Sequence, residues 1–179
     1  MTEETDSALI NAAQKGDARA FEALVNRHYK VMFKMAYKYC ANQNDAEEVT
    51  QEACIKLARG LHSFGHNSAF TSWLYRLVIN AAKDWYKSQN RHPKPSSDEL
   101  EKISVQSKSE DQLYATQVLV EIHKLPEGEK DALLLVVSEG LTHKEAADIL
   151  ECKESTISWR IHEARKKLSA IFEKEQSHG

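Results

Sequence analysis

The chain is poor in turn formers. Six glycines and three prolines in 179 residues are too few for the many turns of an all-β protein, so mostly helix is expected. No long apolar run is present, which excludes a membrane-spanning helix. Nor does the chain open with the basic and then apolar stretch of a secretion signal. Cysteine is scarce: Cys40, Cys54 and Cys152 form no CxxC pair. An odd, scattered set suits a reducing cytosol, with each thiol acting as a small buried apolar group. Positive charge is not in excess, with 24 Lys+Arg against 27 Asp+Glu and a net charge of −3. A globally basic nucleic-acid binder is therefore excluded, and any such binding must use local patches. There is no glycine loop for phosphates, no paired metal ligands and no nucleophile motif, so neither an enzyme nor a cofactor is expected. His62 and His66 with Cys54 supply zinc-ligand types but no fourth ligand. No internal repeat is evident.

What is present is organised around Asn67 to Arg91, NSAFTSWLYRLVINAAKDWYKSQNR. It reads as one long amphipathic helix with Ser68 as N-cap. Phe70, Trp73, Leu74, Leu77, Val78 and Ala81 form an apolar stripe. A second stripe, Ser72, Arg76, Asn80, Lys83 and Lys87, is polar and carries three cations. Tyr75, Ile79 and Tyr86 form a third strip of large groups. Cations beside aromatics suit a nucleic-acid strand, since cations meet phosphates and rings stack on unpaired bases. A core helix with a solvated charged face has the same pattern.

Ahead of this stretch, Ser7 to Lys15 reads as a short helix capped by Ser7. Gly16 breaks it, and Asp17 caps a helix to about Tyr39 with Phe21, Leu24, Val25, His28, Met32, Met35 and Ala36 inward. His28 is expected to be a satisfied histidine at the core edge, and the methionines core filler. After a turn at residues 42–44, Asp45 and Glu48 make a capping box. Val49, Ala53 and Leu57 form the inner stripe, and Glu48, Gln51, Glu52 and Ile55 lie opposite. Ile55 among carboxylates suits a helical partner with basic and apolar groups, although single exposed isoleucines are common. Leu61 to Ser68 reads as a polar loop.

Residues 91–112 change character, with two prolines, several serines and no apolar stripe, and read as a flexible linker. It separates residues 1–90 from a second module at residues 113–179. There Leu113 to His123 is amphipathic, Pro126 suits the first turn of a helix containing Asp131 to Ser138, and Gly140 closes it. Thr142 and Glu145 make a capping box. A turn at Glu151 to Glu154 leads to a helix capped by Ser155 and running to about Phe172, with Ile157, Ile161, Ala164, Leu168 and Ile171 inward. Two capped helices across a four-residue turn, the second with Arg165 to Lys167, read as a helix-turn-helix. Ser158, Trp159, His162 and Lys166 face outward, with Glu163 and Arg165 at the margins.

Several motifs now stand in order: KGDARAF (Lys15–Phe21), DAEEVTQEACIKL (Asp45–Leu57), FTSWLYRLVINAAKDW (Phe70–Trp85), and LTHKEAADIL with STISWRIHEARKKL between Leu141 and Leu168. Together they resemble the extracytoplasmic-function (group IV) sigma factors of the sigma-70 family over residues 7–172. SAFTSWLYR and the linker's PSSD are similar to the envelope-stress sigma-E branch. The resemblance implies an all-α chain of two small helical domains, a region 2 bundle and a region 4 helix-turn-helix, joined by a flexible linker. It implies a cytoplasmic, non-enzymatic promoter-specificity subunit without cofactor, metal or small-molecule substrate. The first module would dock on the clamp helices of the largest subunit of core RNA polymerase through Asp45, Glu48, Gln51, Glu52 and Ile55. It would capture a flipped base of the −10 element with Lys56, Gly60, Phe64, Leu77 and Asn80, beside Trp73, while Arg76, Lys83 and Lys87 hold phosphates. The second module would rest on the flap of the second-largest subunit and read the −35 element.

For that element the resemblance points to Ser155, Thr156, Ser158, Trp159, Arg160, His162, Glu163, Arg165 and Lys166. Three of these depart from the family's pattern: Ser158 replaces a basic residue, Trp159 a small one, and Glu163 a frequent arginine. An unusual −35 sequence, or weaker reliance on it, is the expectation. An anti-sigma protein is the implied inhibitor. The competing reading is a helix-turn-helix regulator acting alone, with the first module as sensor or dimerisation domain. A sensor needs a ligand cavity, whereas a sigma factor needs exposed acidic and cation–aromatic faces. Residues 1–90 carry 11 basic and 10 acidic groups, and residues 113–179 carry 9 and 12, so the free protein should bind DNA weakly.

Overall fold

The computed structural model describes residues 5–89 and 109–176. The chain divides into two compact units, Met1–His92 and Pro93–Gly179. All regular structure among the described residues is helical. The linker expected at residues 91–112 and its PSSD motif lie largely outside the described residues.

In the first unit, α1 (Asp6–Gln14) is capped by Thr5, whose hydroxyl accepts from Ala8 N, two residues earlier than the Ser7 cap expected from sequence. Gly16 at φ 95° ends this segment, and the Asp17 carboxylate accepts from the amides of Arg19 and Ala20 to start α2 (Ala18–Cys40). Helix α3 (Gln43–Gly60) begins two residues before the expected Asp45. Asn42 is its cap and accepts from Asp45 N, so the Asp45–Glu48 capping box is not the device used. A 3₁₀ turn (Leu61–Ser63) and a loop lead to α4 (Phe70–Ser88). Ser68 does not cap α4: Ala69 holds the cap position without a side-chain hydrogen bond.

Helix α4 packs on both α2 and α3. Leu24, Met32, Met35 and Ala36 of α2, Val49, Ala53 and Leu57 of α3, and Leu74, Val78 and Ala81 of α4 are fully buried. Each large side chain of this set contributes about 1.5–3 kcal/mol by leaving water. Because α4 has neighbours on two sides, it buries a second strip as well. Tyr75, Ile79 and Tyr86 are 6%, 2% and 6% exposed, which corrects the expectation that they sit on a nucleic-acid face. Of the cysteines, only Cys40 is buried; Cys54 and Cys152 are half-buried, and all three are free.

His28 is 8% exposed, lies 2.8 Å by Nε2 from Asp6 Oδ2 and stacks edge-on against Phe70. It is the satisfied core-edge histidine expected from sequence. Arg27 Nη1 donates to the other Asp6 oxygen at 2.8 Å, so one carboxylate ties α1 to α2.

In the second unit, α5 (Glu110–Lys124) is followed by α6 (Glu127–Leu133), with Pro126 at the cap position rather than inside the first turn. Helix α6 widens into a π turn over Leu134–Ser138, where Glu139 N donates to Leu134 O at 3.0 Å. Gly140, at φ 70°, makes the exit. Helix α7 (His143–Leu150) has the expected Thr142–Glu145 capping box. Glu151 at φ 53° turns the chain into α8 (Glu154–Gln176), which packs on α6 and α7. Since α8 begins at Glu154, Ser155 lies within its first turn and is not the residue ahead of it.

Partial burial raises the Asp6 pKa, but the hydrogen bonds from Arg27 and His28 and their charges outweigh it and leave the group below its ordinary 3.8. A depressed carboxylate stabilises the fold above its unfolded pKa, and that contribution is lost as pH falls through the folded value. Asp6 is partly solvated, so the screened contribution is about 0.5–1 kcal/mol. Asp6→Ala should lower the urea midpoint at pH 7, with the gap to the wild-type protein closing below pH 3.8.

Candidate functional site

The outer face of α3 carries Glu48, Gln51 and Ile55 in solvent, Ile55 being 44% exposed, with Asp45 and Glu52 half-buried beside them. The face exists because Ala46, Val49, Thr50, Ala53 and Leu57 take the other side into the core. Thr50 satisfies its buried hydroxyl by donating to Ala46 O at 2.6 Å. Among the described residues, neither Glu48 nor Glu52 forms an ion pair. Two carboxylates without an ion pair therefore share the outer face with an exposed isoleucine, as expected.

The groups expected to hold a flipped base are only partly assembled as an open site. Asn80 is exposed, Leu77 half-buried, and Lys56 Nζ is 2.8 Å from Asp84 Oδ2. Phe64 is 7% exposed, with ring centroids 5.4 Å from Phe70, 5.1 Å from Trp73 and 5.0 Å from His66. It is a packed ring rather than a free platform. Gly60 lies where an added Cβ would rest 3.4 Å from the Trp73 ring, which keeps that aromatic close to α3.

The loop is pinned by a residue that sequence reasoning passed over. Gln14 Nε2 donates to Leu61 O and Phe64 O, each at 2.9 Å. No local signal marks Gln14, because its acceptors are 47 and 50 residues away. His66 takes a left-handed φ of 56°, an uncommon conformation outside glycine that shapes this loop. Of the phosphate-holding candidates, Lys87 is exposed, while Arg76 and Lys83 are half-buried and already partnered within the protein. Among the described residues no cluster of His, Cys, Asp and Glu could hold a metal, His62 and His66 with Cys54 included. Burial pushes the Cys54 thiol pKa up, which makes it less reactive.

In the second unit, Trp159 is 59% exposed, and His162, Arg165 and Lys166 stand in solvent with Ser155. Thr156 and Glu163 are half-buried. Ser158 is spent internally: its hydroxyl donates to Glu154 O at 3.2 Å and lies 2.8 Å from His143 Nδ1. Arg160 is also turned inward. Its guanidinium occupies space over Gly128, where a Cβ would come within 2.9 Å, and Nη1 lies 3.9 Å from Cys152 Sγ. Lys167 Nζ is 2.6 Å from Glu129 Oε1, which belongs to a nearly buried carboxylate. Arg160 and Lys167 thus hold α8 on α6 instead of facing outward. On α7, the Thr142 backbone N–H, and then its hydroxyl, hold the Glu145 carboxyl below its ordinary pKa.

The aromatic cluster ties the loop to α4, so its loss should be felt as stability first. Phe64→Ala should cost about 3 kcal/mol, read as a lower urea midpoint for the first unit.

Comparison with known proteins follows this division of the chain. The Sigma-70 region 2 model matches residues 24–92, and the Sigma-70, region 4 model matches residues 116–168. The "ECF RNA polymerase sigma-E factor" of Haemophilus influenzae is 35% identical over 176 residues, covering 90% of this chain and 92% of that protein. The "RNA polymerase sigma-H factor" of Pseudomonas aeruginosa is 33% identical over 188 residues, covering 97% and 96%. In fold the chain is similar to CnrH, solved with the cytosolic domain of CnrY, at a TM-score of 0.71 and 24% identity over 96% of this chain and 99% of that one. It is also similar in fold to the Bartonella quintana sigma factor RpoE solved with the anti-sigma factor NepR, at 0.67 and 18% identity, covering 87% and 98%. The chain therefore belongs to the extracytoplasmic-function RNA polymerase sigma factors of the sigma-70 family.

Proposed function

We propose that the chain acts in the cytoplasm and has no catalysis of its own. Its first unit docks on the clamp helices of the largest subunit of core polymerase, using Asp45, Glu48, Gln51, Glu52 and Ile55. The observation that carries this is the exposed Ile55 on the same face as Glu48 and Glu52, which make no ion pair among the described residues. A basic and apolar partner helix would satisfy both at once. Held there, the unit opens the −10 element and captures one unpaired base near Asn80, Leu77, Lys56 and Gly60, with Phe64 and Trp73 forming the packed wall behind. Unstacking a base costs a few kcal/mol, and an amide beside an apolar wall offsets part of that. Arg76, Lys83 and Lys87 serve the strand's phosphates.

The second unit rests on the flap and presents Trp159, His162, Glu163, Arg165 and Lys166 to the −35 element, with Ser155 and Thr156 at the start of α8. Ser158 and Arg160 are better read as positioning residues, given their internal contacts. With few outward cations, phosphate grip is weak and reliance on the −35 element is reduced. Glu163 suits a cytosine N4 donor. An anti-sigma protein that covers the acidic face of α3 is the proposed inhibitor.

The test is reconstitution with core RNA polymerase followed by run-off transcription on a promoter library. The wild-type chain should co-elute with core and yield transcripts sharing an upstream motif, and Glu52→Lys should abolish co-elution by reversing the charge on the docking face. Duplex binding on the same library gives a second readout. Glu163→Arg should raise affinity for some −35 duplex by about tenfold, the scale of one added base contact of 1–3 kcal/mol. No gain on any duplex would count against the role assigned to Glu163.

A further inference from the structure

Helix α2 has a local periodicity that its core role does not explain. Tyr29-Lys30, Phe33-Lys34 and Tyr37-Lys38 repeat an aromatic–lysine pair every four residues. From Ala23 to Asn44 the chain carries four cations and no carboxylate, although its net charge is −3. The inner face of α2 is Leu24, His28, Met32, Met35, Ala36 and Tyr39. At about 100° per residue, the two rows wind around the side of α2 away from that face; Lys30 and Lys34 lie in solvent, whereas Lys38 is half-buried and already partnered. Tyr29 is 40% exposed, Phe33 and Tyr37 are half-buried, and the Phe33 and Tyr37 rings lie 6.3 Å apart. Lys30 and Lys34 are exposed and make no ion pair among the described residues. Successive rungs are separated by about 6 Å along the helix axis, the scale of one nucleotide in an extended strand.

We propose that this aromatic–lysine ladder on α2 is a track for single-stranded DNA, which holds a melted promoter strand by its phosphates on Lys30 and Lys34 and by a base stacked on Tyr29. A duplex is a poor occupant because paired bases offer no free faces to the rings. The combination of a cationic row and aromatic faces is the chemistry of sequence-tolerant strand binding. The absence of any carboxylate from Ala23 to Asn44 removes the repulsion that would oppose it. The proposal deepens the promoter-opening reading and rests on it for the source of the strand.

The test uses the full chain in two settings. Holoenzyme with core RNA polymerase is titrated with a template carrying a preformed bubble over the −10 region, and with the same template fully paired. The free chain is titrated with a short fluorescein-labelled single strand of mixed sequence at low salt. The double variant Lys30→Gln/Lys34→Gln should weaken binding of the bubble template and of the free strand at least about fivefold. It should also reduce the salt slope for the free strand by about 1.4, the share of two phosphate contacts. Fully paired template binding, co-elution with core and the urea midpoint should match those of the wild type. Tyr29→Ala should weaken strand binding at least about fivefold through the lost stack. Unchanged strand affinity in both variants overturns the proposal. So does loss of core co-elution by the lysine variant, which would make the face a protein-docking surface. If the wild-type chain does not co-elute with core, it is the sigma reading that fails, and the free-chain titration still decides the ladder.

Discussion

Helix α4 is held between α2 and α3, and the rest of the first unit depends on that double contact. A helix with one neighbour can keep half its surface for a ligand; α4 keeps only a strip. Leu74, Val78 and Ala81 face one packed region, and Tyr75, Ile79 and Tyr86 are also taken inside. What remains outward is Asn80, Asp84, Lys87 and Ser88, with Arg76 and Lys83 half-buried at the edge. The outward strip of α4 is therefore narrow and rigidly backed, which suits the base-holding role proposed for it. The surrounding elements are arranged around this constraint. Gln14 reaches from α1 to fix the loop that precedes α4, and Phe64 fills the space under Trp73.

The second unit solves a different problem with similar means. Helix α8 must be displayed, so its anchoring is placed on one side. Lys167 neutralises the nearly buried Glu129, and Arg160 lies over Gly128, a position where any larger residue would compete for its space. A buried carboxylate without such a partner would be costly. His143 and Ser158 join the start of α7 to the first turns of α8. Two helices of a DNA-reading motif are thereby fixed relative to each other by polar contacts as well as by Ile157 and Ile161.

Much of this was legible before any coordinates. The Asp17 cap, the Val49–Ala53–Leu57 stripe, the satisfied His28 and the Thr142–Glu145 capping box all rest on neighbours within a few turns, and local patterns report local contacts well. The exposed Ile55 was legible for the same reason. The errors arise where the deciding partner is distant. Periodicity gives the apolar width of α4 but cannot count how many helices will pack on it, so Tyr75, Ile79 and Tyr86 were placed outside. Arg160 looks like an outward cation until Gly128, on another helix, provides a seat. Ser68 and Ser155 are good cap residues by type, yet the helices begin at Phe70 and Glu154, because packing sets the boundary there. The ladder on α2 was visible in the letters and hidden by the stronger core stripe beside it.

The π turn at Leu134–Ser138 has a further consequence. A wide turn holds one more residue than an α-helical turn of the same rise. Leu134 and Leu135 remain buried at 1% and 0% exposure, while Val137 is pushed out to 55%. The surplus residue is thus carried as a bulge, and the chain still reaches Gly140 and Thr142 in register. Loss of one residue within this segment could be absorbed by relaxing the bulge to ordinary α geometry, whereas the same loss within α7 or α8 would rotate everything beyond it by about 100°. Among the described helical segments of the second unit, this one can therefore vary in length by a residue while α8 keeps its orientation.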